Sequence, residues 1–75
     1  MNASRRKALL KLAEKVGDIR AELEAARDHE QEYYDNMPES LQAGERGDRA
    51  QVSIDALESA AQSLEEVENY IGKSL

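Results

Sequence analysis

The chain contains no cysteine, no phenylalanine and no tryptophan, one proline, one histidine and three tyrosines. Each scarcity closes off a class of protein. Without cysteine there is neither a disulfide framework nor a thiolate metal site. Without the large aromatics, a core of Leu, Val, Ile and Ala is thin, and 75 residues hold one small domain whose core supplies only a few kcal/mol. Very regular helix packing, oligomerisation or both must then complete the fold. No apolar run approaches the roughly 18 residues expected of a membrane span. Arg5, Arg6 and Lys7 ahead of Ala8-Leu9-Leu10 have the outline of a secretory signal, but Lys11 and Glu14 interrupt it and no small-residue cleavage site follows. A cytoplasmic protein is expected.

What the chain has in quantity is charge, 35% of residues, with a net charge of −6. The distribution is polar. Residues 1–20 hold six bases against Glu14 and Asp18, whereas residues 21–75 hold four bases against fourteen acids.

Hydrophobic spacing predicts two long helices. Leu9, Leu12, Val16, Ile19, Leu23 and Ala26, followed by Glu30 and Tyr33, fall at alternating intervals of three and four, an a/d heptad over a helix of about residues 3–35. Asn2 or Ser4 can accept from the free amides at its start, and Gly17 is expected on the outer face. Residues 36–47 form the linker. Asn36 with Glu39 reads as a capping pair, Pro38 suits a first helical position, and Gly44 ends the short helical turn. Asp48 with Gln51 reads as a second capping box, opening a helix of about residues 48–72 that Gly72 stops. Its apolar face carries Leu57, Ala60, Ala61, Leu64, Val67 and Ile71, extended by Ala50 and Ile54.

Two long helices joined by about a dozen residues fold back antiparallel. The expected fold is therefore all-α, one domain, an antiparallel helical hairpin. One apolar stripe per helix buries only one layer, so pairing of two hairpins into a four-helix bundle is expected to complete the core. Leu9, Leu12, Val16, Ile19 and Leu23 would pack against Leu57, Leu64, Val67 and Ile71 in that self-association core. Antiparallel folding would also set the basic start beside the acidic Glu65, Glu66 and Glu68, within the hairpin or across the dimer.

The chemistry-bearing residues are sparse. His29 has Ala26 three residues before it, not the Glu that a bundle di-metal site needs, and no second histidine. It reads as a solvated helix-face residue. No nucleophile has a base and an orienting group, and Gly44 and Gly47 lack the Lys-Ser/Thr ending of a phosphate loop. No catalytic, cofactor or metal set is expected. The acidic balance opposes direct nucleic-acid binding. It suits the reverse, a mimic of nucleic acid: Asp55, Glu58, Glu65, Glu66 and Glu68 run without an intervening base and could occupy a basic channel on a nuclease or DNA-binding protein. Arg46, Arg49 and Tyr34 are candidate contacts for a small anionic ligand.

The most distinctive stretch is Glu32-Tyr33-Tyr34-Asp35-Asn36-Met37-Pro38-Glu39, continued by Leu41-Gln42 and Glu45-Arg46. Tyr33, Met37 and Leu41 can cap the open end of the bundle core. Tyr33, Tyr34, Met37, Arg46 and Arg49 can equally serve as a partner contact, since Tyr, Met and Arg are favoured in interface cores. Over residues 20–70 this stretch and the Ala/Leu/Glu-rich helix after it resemble uncharacterised small helical proteins of bacteriophages and bacterial mobile elements. The resemblance implies a non-enzymatic accessory protein that acts by binding, with a host protein as a possible target. It carries over no catalytic residue.

Overall fold

The computed structural model describes residues 2–75. Helix α1 spans Ala3–Asp35, a short α2 spans Glu39–Gln42, and α3 spans Glu45–Lys73. Helices α1 and α3 pack along their lengths as an antiparallel hairpin, and α2 forms its turn. Among the described residues no helix is long and apolar enough to cross a membrane.

The start of α1 is capped as its sequence suggests: Asn2 Oδ1 accepts from the Arg5 amide at 2.8 Å. The linker differs in two respects. Asn36 closes α1 instead of opening α2, and Pro38, which has no side-chain donor or acceptor, takes the cap position of α2. Helix α3 begins three residues before the expected Asp48, after Gly44 in extended backbone (φ −98°, ψ −168°). Asp48 instead joins Glu45 in the first turn, where both acids complement the positive end of the helix dipole. At the other end α3 runs through Gly72 to Lys73, and Ser74 caps it in right-handed backbone. Gly72 therefore does not stop the helix, which needs no left-handed residue there.

The inner face of α1 is Leu9, Ala13, Val16, Arg20, Leu23, Arg27, Glu30 and Tyr34, all half-buried at alternating steps of four and three. That of α3 is Gly47, Ala50, Ile54, Leu57, Ala61, Leu64, Glu68 and Ile71. The seam thus keeps the a column expected for α1, Leu9 to Glu30, and replaces the d column with its other neighbour, Ala13 to Tyr34. Arginine explains the shift. Arg20 and Arg27 lay their stems along α3 and hold their heads at its edge. Arg20 Nε meets Glu68 Oε1 at 3.0 Å and its Nη1 meets Glu24 at 2.9 Å, while Arg27 Nη1 lies 4.0 Å from Glu58. The hydrogen bond and charge of Glu68 raise the Arg20 guanidinium above its ordinary value, and Asp28 does the same for Arg27. These pairs chiefly set rotation and register.

The core is slight. Among the described residues Met37, Ala50, Ile54 and Ala61 are the buried apolar ones, and α1 has no buried residue at all. The molecule measures 59 × 14 × 11 Å, with a radius of gyration of 17.2 Å against roughly 11 Å for a compact domain of this length. Its surface of 5631 Å² exceeds by about 1,000 Å² the value that scaling gives for a globular chain of its mass. The hairpin is a single layer with a surplus of exposed surface.

Gly17 lies on the flank of the seam, half-buried, and not on the outer face. A Cβ there would stand 3.4 Å from Glu68 Oε1, the far end of a flexible side chain. Gly17→Ala should therefore gain helix propensity without a clash, stabilising the protein by up to roughly 1 kcal/mol. Thermal unfolding followed by circular dichroism should show a midpoint several degrees higher, about 4–8 °C per kcal/mol at this size. An unchanged or lower midpoint would mean that Glu68 cannot yield.

Candidate functional site

The shift in the seam leaves one whole column of α1 uncovered. Leu12 is 49% exposed, Ile19 49% and Tyr33 51%, with exposed Ala26 between them at the same seven-residue spacing. On α3 the matching column is Ser53, Ala60 and Val67, with Val67 40% exposed. Because both helices are right-handed and run in opposite directions, columns displaced alike from the seam emerge on the same side of the hairpin. A shallow hollow bordered by Glu30 and Tyr33 of α1 and by Arg46 and Ser53 of α3 confirms the side at the turn. This broad face is apolar for most of its length. It adds the outer edges of half-buried Leu9, Val16, Leu23, Leu57, Leu64 and Ile71 to the uncovered columns.

The opposite face is charged. Its hollow is bordered by Arg20, Glu24, Arg27, Glu58 and Glu65. The two faces of one hairpin are therefore chemically distinct. Of the residues expected in the self-association core, Leu9, Val16, Leu23, Leu57, Leu64 and Ile71 lie in the seam. Leu12, Ile19 and Val67 are not covered by the chain's own second helix.

The candidate contact residues divide. Met37 is buried and closes the turn end of the core. Tyr34 turns inward with it: its hydroxyl accepts from Gln51 Nε2 at 2.9 Å and its carbonyl from Gln42 Nε2 at 2.9 Å. Tyr33 and Leu41, expected to help cap the core, are exposed instead, because Tyr33 belongs to the uncovered column. Arg46 and Arg49 stand near Tyr33, not near Tyr34, which borders the other face with Gln31 and Gln51. Arg49 Nη2 is engaged at 2.6 Å by Glu45. The anionic-ligand trio of Arg46, Arg49 and Tyr34 is thus not brought together.

The acidic run is also divided. Glu68 is held by Arg20 and Glu58 faces Arg27, so bases absent from the run in sequence are supplied across the seam. Asp55, Glu65 and Glu66 are exposed without an ion-pair partner among the described residues. The basic start does not meet the acidic end as anticipated within the hairpin. No ion pair among the described residues involves Arg5, Arg6, Lys7, Lys11 or Lys15. The register explains this for Arg5, Arg6 and Lys7. Gly17 lies level with Glu68 and Tyr34 with Gln51, which sets Leu75 level with about Leu10, so the first turns of α1 extend past the end of α3. His29 is exposed, and among the described residues no three His, Cys, Asp or Glu side chains converge as a metal cage would require.

The fold and this face define a class: a two-helix hairpin with one uncovered apolar side. No family model matches the chain, and neither does any curated protein or solved structure. The functional reading therefore rests on the residues.

Proposed function

We propose that the protein is a non-enzymatic, self-associating helical module, in which the apolar face of one hairpin packs on the same face of a second copy to close a four-helix bundle. One observation carries the reading: Leu12, Ile19, Tyr33 and Val67, between 40% and 51% exposed, line a single side of a chain that has almost no buried core. A monomeric hairpin would leave that face in water. A second copy removes it with no new sequence. The area is of the right order, since a surplus of about 1,000 Å² per chain compares with the roughly 800 Å² that each partner contributes to a standard stable interface. The resemblance of the Tyr-Tyr-Asp-Asn-Met-Pro segment to phage and mobile-element proteins extends the proposal to an accessory role exerted by binding a host protein. The charged face would remain available for that contact.

Light scattering coupled to gel filtration tests the self-association. A mass of two chains is expected, and Ile19→Asp should shift it to one chain by placing a carboxylate in the centre of the apolar face. A wild-type mass of one chain, independent of concentration, would overturn the proposal.

The acidic-mimic alternative has less support, because Arg20 and Arg27 interrupt the strip in space. Reversal of Glu65 and Glu66 discriminates the two readings: it should leave the mass unchanged but would abolish competition with nucleic acid for a host target.

A further inference from the structure

The proposed pairing of apolar faces admits two closed two-fold arrangements. In one, both turns lie at the same end, and each α1 packs on the α3 of the other copy. In the other, the turns lie at opposite ends, and α1 packs antiparallel on α1. Building on the self-association reading, we propose the second arrangement, with the two α1 helices crossing at Ile19.

Charge decides between them. Residues 3–20 of α1 carry six bases and two acids, a net +4, whereas residues 21–35 carry Arg27 against six acids, a net −5. Helix α1 is a rod of opposite ends, and antiparallel contact with itself sets each basic half on an acidic half. Helix α3 has no such contrast, holding a small acidic excess in both halves. The turn region is the stronger argument. Residues 28–48 hold Asp28, Glu30, Glu32, Asp35, Glu39, Glu45 and Asp48 against Arg46 alone. Turns at the same end would bring two such regions together. Turns at opposite ends instead place each beside Arg5, Arg6 and Lys7 of the other copy, the bases that project past α3 without an intramolecular partner. Charges arranged in this way fix the register and reject the competing one more than they add affinity.

The apolar column agrees. Ile19 is the midpoint of α1, with sixteen residues on either side. A two-fold axis there pairs Ile19 with itself, Leu12 with Ala26 of the other copy, and Arg5 with Tyr33 of the other copy. Large meets small in the second pair, and a guanidinium meets an exposed aromatic ring in the third. On the flank of the column, Lys15 comes opposite Glu22 twice by symmetry, and neither has an ion-pair partner within its own chain among the described residues.

The chain has no cysteine, so an introduced thiol is unique. Ile19→Cys, mildly oxidised in the full chain, should form a disulfide-linked dimer much faster than Ala21→Cys, an exposed position on the same helix facing away. Independently, Lys15→Glu should weaken dimerisation roughly tenfold through two like-charge pairs, and adding Glu22→Lys should restore it. Selective cross-linking with rescue by the double reversal is the expected result. A wild-type mass of two chains, with Ile19→Cys no faster than Ala21→Cys and no rescue, would overturn the arrangement while leaving self-association standing. A wild-type mass of one chain would overturn both.

Discussion

Leu64→Asp is expected to abolish the oligomer and most of the helicity together. Leu64 is half-buried in the seam of α3, where the inner face of the hairpin meets the apolar side assigned to the second copy. Truncating a buried leucine costs about 2–5 kcal/mol, and an ionised carboxylate in its place adds a desolvation penalty. A 75-residue chain has total stability on the order of 4–11 kcal/mol. Isolated helices depend on packing of their apolar stripe, so the loss should reach both α1 and α3. The measurement is far-ultraviolet circular dichroism paired with sedimentation. Retained helicity with a mass of one chain would show that the hairpin is stable without its partner. Retention of both would refute the assignment of the seam.

Gly47→Ala should have an effect of similar size for a different reason. Gly47 is buried in the first turn of α3, where the chain emerging from α2 crosses it. A Cβ at this position would overlap the Gln42 carbonyl oxygen and lie 2.6 Å from Gln42 Cα. These are backbone atoms and cannot move aside as the Glu68 side chain can beside Gly17. Overpacking of this kind costs about 1–3 kcal/mol or more, offsetting any gain in helix propensity. The midpoint of thermal unfolding should fall by about 10 °C or more. The same residue exchange thus has opposite signs at Gly17 and Gly47, and a contrary result at Gly47 would mean that the α2 turn is not held against α3.

Helix spacing made much of this molecule readable in advance. The three-four periodicity of Leu9 to Ala26 and of Ile54 to Ile71 specifies two long helices, and the short linker with Pro38 specifies their antiparallel return. Asn2 acts as the cap its side chain suggests. The linker was less legible, since Asp48 and Gln51 satisfy a capping pattern equally well inside a helix that starts earlier. Gly47 looked like a loop residue because the crossing that requires it is made by α2, and nothing in the local sequence marks a close approach. Tyr33 and Tyr34 are indistinguishable by composition, yet one step of 100° turns Tyr34 to the core and leaves Tyr33 outside.

The candidate site shows the same division. Sequence alone determined a broad apolar sector on each helix, a thin core without large aromatics, and an α1 with ends of opposite charge. Only the tertiary structure decided which columns the two helices use on each other. That choice lies with Arg20 and Arg27, whose carboxylate partners Glu68 and Glu58 are 48 and 31 positions away and become neighbours only when the hairpin closes. Their pairing rotates the seam by one column, covers Ala13 to Tyr34, and leaves Leu12, Ile19, Ala26 and Tyr33 facing outward.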